Sequence, residues 1–366
     1  MIPLTVPALG EEEIAASARV LSSGMLVQGR EVLAFEAGLA LRTGRKHAVM
    51  VGSGTAALEL ALAALEVGPG DEVLCPALTW PSPAHAILAR GAEVSLTDVE
   101  PSEWNSSEHH FGAARSERTK AAIVIDQLGN PARHGPIARV LAGLPIIVDA
   151  ACSLGASYEG APCGSHGLIA CTSFHPRKVL TTGEGGACLT DDDTLAERLR
   201  ALRNHGQRAP GVFVCASGNH RMTELAAAIG SEQLRKLPGL VAARRRLSAQ
   251  IRAPFPDAEF QREPIHGEAN QQTLGLLVGA PGGGSATRDR MLERLREGGV
   301  QSGPLSYALH LLPQLQRAAS QAARQGRSLA HARDIAERGL ALPLFPSMTS
   351  VQAQTVIDQL TKALRT

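Results

Sequence analysis

The segment Ser173-Phe174-His175-Pro176-Arg177-Lys178-Val179-Leu180-Thr181-Thr182-Gly183-Glu184-Gly185-Gly186 sets a lysine between an apolar run and a glycine-rich turn. Burial and neighbouring cations lower an amine's pKa and make it nucleophilic, as forming a Schiff base with an aldehyde cofactor demands. The alternative is a surface lysine in a turn, the usual fate of this residue type. Lysine is scarce here, Lys178 being one of five among 36 cationic residues. Asp149 ends the apolar run Pro145-Ile146-Ile147-Val148 and precedes Ala150-Ala151, small enough for a bulky ligand to approach. A carboxylate there can face a protonated pyridine nitrogen, so that the ring withdraws electrons from a substrate carbanion. Otherwise it caps the next turn.

Val51-Gly52-Ser53-Gly54-Thr55-Ala56-Ala57 joins a short apolar run to a strong helical pattern. Its backbone N–H groups and the Thr55 hydroxyl then gather at a helix N-terminus suited to an anion. Gly52-x-Gly54-x-x-Ala57 also matches a dinucleotide fingerprint, so an NAD-dependent oxidoreductase is a rival reading. The next apolar run, Glu72–Pro76, ends in Cys75-Pro76 with no acidic residue for a ribose diol, which weakens that rival. Trp80, one of two tryptophans, either stacks on a planar ring or packs in the core. His175 is either a proton shuttle or a satisfied core histidine.

Such residues need elements to hold them. Short apolar runs alternate with longer helical ones from His47 onward, the signature of a parallel sheet covered by helices. Strands are expected at 47–51, 72–77, 92–99, Ala121–Ile125, Ile146–Val148, Ala170–Phe174 and Ala187–Thr190. Helices are expected at 11–23, with Ile14, Ala15, Ala18, Val20 and Leu21 as its apolar face, at 193–203, and at 222–249 with a break or bend at Pro238-Gly239. After about residue 250 come a strand (Thr273–Val278), a glycine-rich turn (281–284), a helix (286–298) and a final helix from Ser350 to Leu364, a smaller α/β unit.

The chain has 366 residues, 44% hydrophobic and 19% charged, with a formal net charge of +1. These values exclude disordered, collagenous and coiled-coil classes, and no whole-molecule field favours nucleic acid or an anionic membrane. The six cysteines (75, 152, 163, 171, 188 and 215) form no CxxC pair and read mostly as small buried apolar residues. The N-terminus shows no basic segment followed by an apolar run, and no run of about 18 apolar residues occurs, so the expected location is the cytoplasm.

Together, Ser53-Gly54-Thr55-Ala56-Ala57-Leu58, Gly70-Asp71-Glu72-Val73, Asp149-Ala150-Ala151, Ser173-Phe174-His175, Lys178 with Thr181–Gly186, Arg203-Asn204-His205-Gly206 and Asn219–Leu225 resemble the DegT/StrS family of pyridoxal-phosphate (PLP) enzymes, the aminotransferases of sugar biosynthesis. The resemblance runs along nearly the whole chain. It implies an α/β protein of PLP-dependent transferase fold type I, with a large domain built on a mostly parallel seven-stranded sheet and a small C-terminal α/β domain. The expected division is 1–245 and 246–366, with the N-terminal helix packing on the small domain. A homodimer with active sites at its interface is also implied.

Carried over by the resemblance, Lys178 and Asp149 are the catalytic pair. Lys178 would hold the cofactor and move the proton between substrate carbon and cofactor, and Asp149 would face the pyridine nitrogen. Trp80 takes the stacking position; Gly54, Thr55 and Ser173 take phosphate-binding positions, and Asn219 would reach the phosphate of the partner subunit. Position 152, usually glutamine or histidine beside the cofactor's phenolic oxygen, is Cys152, so that hydrogen bond is weakened or supplied elsewhere. Gly218 and His220 flank Asn219 where the family usually has aromatics, and Asp126–Pro131 matches its family stretch loosely. Family dehydratases replace the lysine by histidine, and Lys178 argues against that branch. The expected reaction moves an amino group from glutamate or glutamine to a keto sugar, with residues 207–218 and 303–312 as candidates for substrate contact. A regulator of the same fold that binds PLP or sugar without turnover is the third reading.

Overall fold

Apolar runs of about five residues are too short for helices and too uniformly hydrophobic for strands with one wet face, which suits a sheet covered on both sides. A computed structural model, describing residues 1–365, assembles them so. β1 (His47–Val51), β2 (Glu72–Pro76), β3 (Glu93–Thr97), β4 (Thr119–Ile125), β5 (Ile146–Asp149), β6 (Ile169–Ser173) and β7 (Gly186–Thr190) lie in the order β1-β7-β6-β5-β4-β2-β3. Strands β3, β2, β4, β5 and β6 are mutually parallel. β7 runs antiparallel to both β6 and β1, so β1 points the same way as β6. The carboxyl ends of six strands and the start of β7 therefore share one edge, where open α/β sheets bind their ligands.

This order bears on the dinucleotide reading. That fingerprint works inside a βαβ unit whose two strands are parallel partners. Here the helix Gly54–Ala64 leads from β1 to β2, and four other strands separate the two.

A second sheet, antiparallel and four-stranded, carries the C-terminal region: Glu259–Phe260, Leu274–Leu277, Gly339–Leu342 and Gly303–Pro304 in spatial order. Helices Ala286–Glu297 and Ser350–Leu364 close a separate core around Leu276, Leu295, Leu340, Val356 and Leu360. Ile2 joins that core and bridges to Val300.

Of the break or bend suggested at Pro238-Gly239, the break does not occur, since the helix Glu224–Arg252 continues through Pro238. A proline costs the helix one N–H donor. Leu237, Leu240, Val241 and Arg244 are buried on either side of it, and this packing holds the helix together. The domain boundary we place at 245/246 falls within this helix. The first helix, Glu11–Ser23, buries Val20 of the expected face together with Glu13 and Ala16, and leaves Ile14, Ala15, Ala18 and Leu21 exposed. Glu13 sets that orientation by accepting from Gln233 and Lys236, each at 2.8 Å. The helix thus rests on the first half of Glu224–Arg252, where Ala16 and Val20 meet Ala228.

One buried ion pair ties the sheet's edge strand to two helices. Arg203 Nη1 donates to Glu36 at 2.5 Å and to the Met50 carbonyl at 3.1 Å, and the Met50 N–H donates to Glu36 at 2.9 Å. Removing one partner leaves the other's charge buried and unpaired, at about 3–5 kcal/mol. Glu36→Ala is therefore expected to lower the free energy of unfolding by that amount in denaturant titrations, and a loss below about 1 kcal/mol, as for a surface pair, would contradict the clamp.

Candidate active site

The sheet edge gathers every residue singled out from the sequence. Gly54 and Thr55 follow β1, Trp80 follows β2, Asp149 ends β5 with Cys152 just beyond, Ser173 ends β6, and Lys178 lies in the β6–β7 connection. Asn219 reaches this edge by another route. The Gly52 N–H donates to the His220 carbonyl at 2.9 Å and Val51 bridges to Arg221, so residues 219–221 lie alongside the turn after β1.

The loop carrying Lys178 is held by its own polar groups. Phe174 N–H donates to the Gly185 carbonyl, and the Phe174 carbonyl accepts from Thr182 N–H and, at 2.8 Å, from the Thr181 hydroxyl. The Thr181 oxygen accepts in turn from Gly183 N–H at 3.0 Å. The Lys178 N–H donates to the His175 carbonyl at 2.8 Å. His175 Nδ1 accepts from the Arg177 N–H at 3.2 Å, which places its proton on Nε2. Burial lowers the pKa of His175 despite the nearby Glu184 carboxylate, keeping the ring neutral. Lys178 Nζ donates to Cys152 Sγ at 3.1 Å, so the thiol at the departing position touches the Lys178 amine.

Asp149 is buried, its Oδ1 accepting from Ala151 N–H at 3.0 Å. Burial pushes its carboxyl pKa up, while the Ala151 N–H and the Lys178 charge pull it down and the Asp126 charge adds to the rise. Sequence reasoning missed the side chains that brace this pair. Asn270 Nδ2 donates to the Cys152 and Leu154 carbonyls at 2.7 and 2.9 Å, and Gln272 Nε2 donates to the Arg177 carbonyl at 2.7 Å. The available signal was the run of three amides, Asn270-Gln271-Gln272, just before an apolar strand.

At the glycine turn, Ser53 caps the helix Gly54–Ala64 by accepting from Ala56 N–H at 3.1 Å. The Gly54 and Thr55 N–H groups meet no acceptor among the described residues. A Cβ on Gly54 would stand 2.7 Å from that of Ser173, so only glycine lets the two approach. Free N–H groups at a helix start, the exposed Thr55 and the half-buried Ser173 form a cradle that fits a phosphate. With a buried carboxylate and a lysine amine on the same edge, these residues fit a phosphorylated pyridine aldehyde.

Trp80 is 61% exposed and touches Tyr307 edge to face, ring centroids 5.4 Å apart, so it is available for stacking; the core tryptophan is Trp104. Tyr307 arrives because Tyr307–Ala308 pairs with Leu78–Thr79, which joins the 303–312 segment to the large sheet's edge. Residues 207–213 form an exposed hairpin, with Val212, Phe213 and Val214 open to solvent. Asn219 is also exposed, its Oδ1 accepting from Arg221 N–H at 3.3 Å. Of the cysteines, 75, 163, 171 and 188 are buried, Cys152 is half-buried and Cys215 exposed, and all are free thiols. No described helix is long and apolar enough to cross a membrane.

Known proteins share both fold and sequence. The family model for the DegT/DnrJ/EryC1/StrS aminotransferase family matches residues 7–361. The crystal structure of the aminotransferase TlmJ from Streptoalloteichus hindustanus superposes with a TM-score of 0.91 at 31% identity, covering 100% of this chain and 99% of that one. DesV from S. venezuelae, solved in complex with a ketimine intermediate, gives the same identity, coverage and TM-score. The GDP-4-keto-6-deoxy-D-mannose-3-dehydratase of E. coli, solved with bound hydrated PLP, matches at 25% identity and a TM-score of 0.86, covering 100% and 99%. A family model that matches residues 7–361, nearly the whole chain, makes this chain a member of the DegT/DnrJ/EryC1/StrS aminotransferase family.

Proposed function

We propose that the protein is a PLP-dependent transaminase that moves an amino group from an amino acid, L-glutamate or L-glutamine, to a keto sugar carried on a nucleotide, in sugar or secondary-metabolite biosynthesis. The observation that carries this reading is the placement of the Lys178 amine and the buried Asp149 carboxylate on the sheet edge that also bears the Gly54 cradle. We further propose a cytoplasmic homodimer.

When bound, PLP supplies a pyridinium ring that withdraws electrons from the substrate carbon. Asp149 would hold a proton at the ring nitrogen, its ionised form stabilised by that positive charge. The Gly54 and Thr55 N–H groups, with the Ser173 hydroxyl, would bind the phosphate and fix the register. Trp80 would stack on the ring, and Cys152, touching the Lys178 amine, would stand where the phenolic oxygen lies. Lys178 Nζ would carry the proton between the two reacting carbons in both half-reactions, so one amine at one position suffices for donor and acceptor. Asn219 would complete the phosphate site of the partner subunit, and the exposed Val27, which bridges to Thr223 four residues on, offers apolar area for that contact. A lysine at 178 also favours transamination over dehydration.

Wild-type protein mixed with PLP and freed of unbound cofactor is expected to show a visible absorption band that glutamate converts to the pyridoxamine form, and Lys178→Ala is expected to lack the lysine-linked band and the conversion. A band indifferent to that substitution would sink the assignment.

Asp149 gives a pH-dependent test. Its folded-state pKa lies above the ordinary value of 3.8, so its contribution to stability is present below that value and lost as pH rises through the folded pKa. Cofactor-free Asp149→Asn should therefore match or exceed wild type in stability at pH 7 and lose that advantage towards pH 3, while binding PLP at least about tenfold more weakly. A variant less stable than wild type at pH 7 would contradict the burial argument.

The shared site has its own signature. Mixing inactive Lys178→Ala with impaired Asn219→Ala chains should restore activity, because one site of the mixed dimer recovers both residues. No recovery after subunit exchange would place Asn219 in the site of its own chain.

A further inference from the structure

A second cluster of chemically capable side chains lies behind the sheet edge and takes no part in the reaction above. Asp126 follows β4, His134 opens the helix His134–Val140, and Cys163 follows the short strand Ala161–Pro162. Their exposures are 0%, 6% and 1%. One ligand atom from each lies within 4.8 Å of the other two.

The geometry within the cluster is informative. His134 Nε2 stands 2.9 Å from Asp126 Oδ1, yet this buried nitrogen has no hydrogen-bond partner. The two atoms stand at ion-pair distance without a well-aligned hydrogen bond. Two ligands at about 2.0 Å from a tetrahedral centre lie about 3.3 Å apart, so a small separation of this pair admits an ion between them. The Asp126 carboxylate is held in orientation by Ala132 N–H on Oδ1 at 2.9 Å and by the Ser153 hydroxyl on Oδ2 at 2.6 Å, as outer partners orient a ligating carboxylate. The His166 ring stacks on His134, centroids 4.2 Å apart and planes 10° from parallel, and its own Nε2 is also buried without a partner. Tyr158 closes another side of His134, edge to face at 5.8 Å.

We propose that Asp126, His134 and Cys163 bind a divalent transition-metal ion, with zinc the preferred occupant. A thiolate, an imidazole and a carboxylate form a donor set of the mixed softness that zinc accepts in tetrahedral sites, and three protein ligands leave the fourth position to water. Binding exchanges waters of the hydrated ion for the three side chains, one water staying in the fourth position, and releases the Cys163 thiol proton to solvent. The ion stands apart from the reaction. It joins the end of β4, the start of a helix and the loop after residue 162, and the Asp126 N–H donates to the Asp149 carbonyl at 3.1 Å. The bound ion therefore braces the backbone of Asp149 from behind without reaching the reacting atoms.

The test uses the intact protein, purified without a polyhistidine tag and dialysed in metal-free buffer. Elemental analysis after incubation with zinc is expected to find about one ion per chain. Cobalt in its place should give the intense visible bands of a tetrahedral site, together with a sulfur-to-cobalt charge-transfer band. Cys163→Ser should abolish the charge-transfer band and weaken zinc binding at least about 100-fold, beyond the loss that removal of an outer-shell partner causes. Wild-type protein that takes up no more zinc or cobalt than Cys163→Ser, or a cobalt spectrum without tetrahedral bands, would overturn the proposal. Should the variant fail to fold, the wild-type cobalt spectrum decides alone. PLP binding and transamination are read separately, so either proposal can fail without the other.

Discussion

Bare backbone at two glycines sets the architecture of the site. A Cβ on Gly54 would stand 2.7 Å from that of Ser173, and one on Gly186 would stand 2.5 Å from the Ser53 carbonyl oxygen. Side chains at either position would push β1 and its following helix away from β6 and β7. With them absent, the helix start meets the end of β6, and the lysine loop between β6 and β7 opens beside the same point. The antiparallel β7 makes this possible, because its reversal lays Gly186 between Val51 and Ser173 in register. Phosphate cradle and lysine are thus consequences of one close approach.

The C-terminal domain does more than cover the edge. Asn270 and Gln272 reach across to the carbonyls of Cys152, Leu154 and Arg177, so the loops bearing both catalytic candidates are tied to the residues that lead into the small sheet. A buried amide that satisfies two carbonyls is costly to lose. The loops after Asp149 and before Lys178 are therefore held in place by residues next to the small sheet. On the opposite flank, Tyr307 and Trp80 form a second link between the domains.

Much of this was legible in the sequence. All seven strands of the large sheet and the helices at 11–23, 193–203 and 350–364 followed from apolar periodicity, because buried parallel strands and amphipathic helices leave strong patterns. Pro238 does not break its helix because local propensity yields to burial on a long helix. The first helix turns a face partly different from the expected one because a charged residue, Glu13, leads it inward through Gln233 and Lys236, more than 200 positions away. Asn270 and Gln272 escaped for the same reason, since hydrogen bonds to distant carbonyls leave no local periodicity. Lys178 and Asp149 were found through the chemistry of their flanks, and the family resemblance supplied roles that spacing alone left open.

The central claim is that Lys178 is the residue to which the cofactor attaches. The direct measurement is borohydride reduction of the protein with PLP, followed by proteolysis and mass spectrometry of its five lysines. The account predicts one stoichiometric phosphopyridoxyl adduct on the peptide containing Lys178, with Lys46, Lys120, Lys236 and Lys362 unmodified. A stoichiometric adduct on another lysine, or none on Lys178, would contradict it.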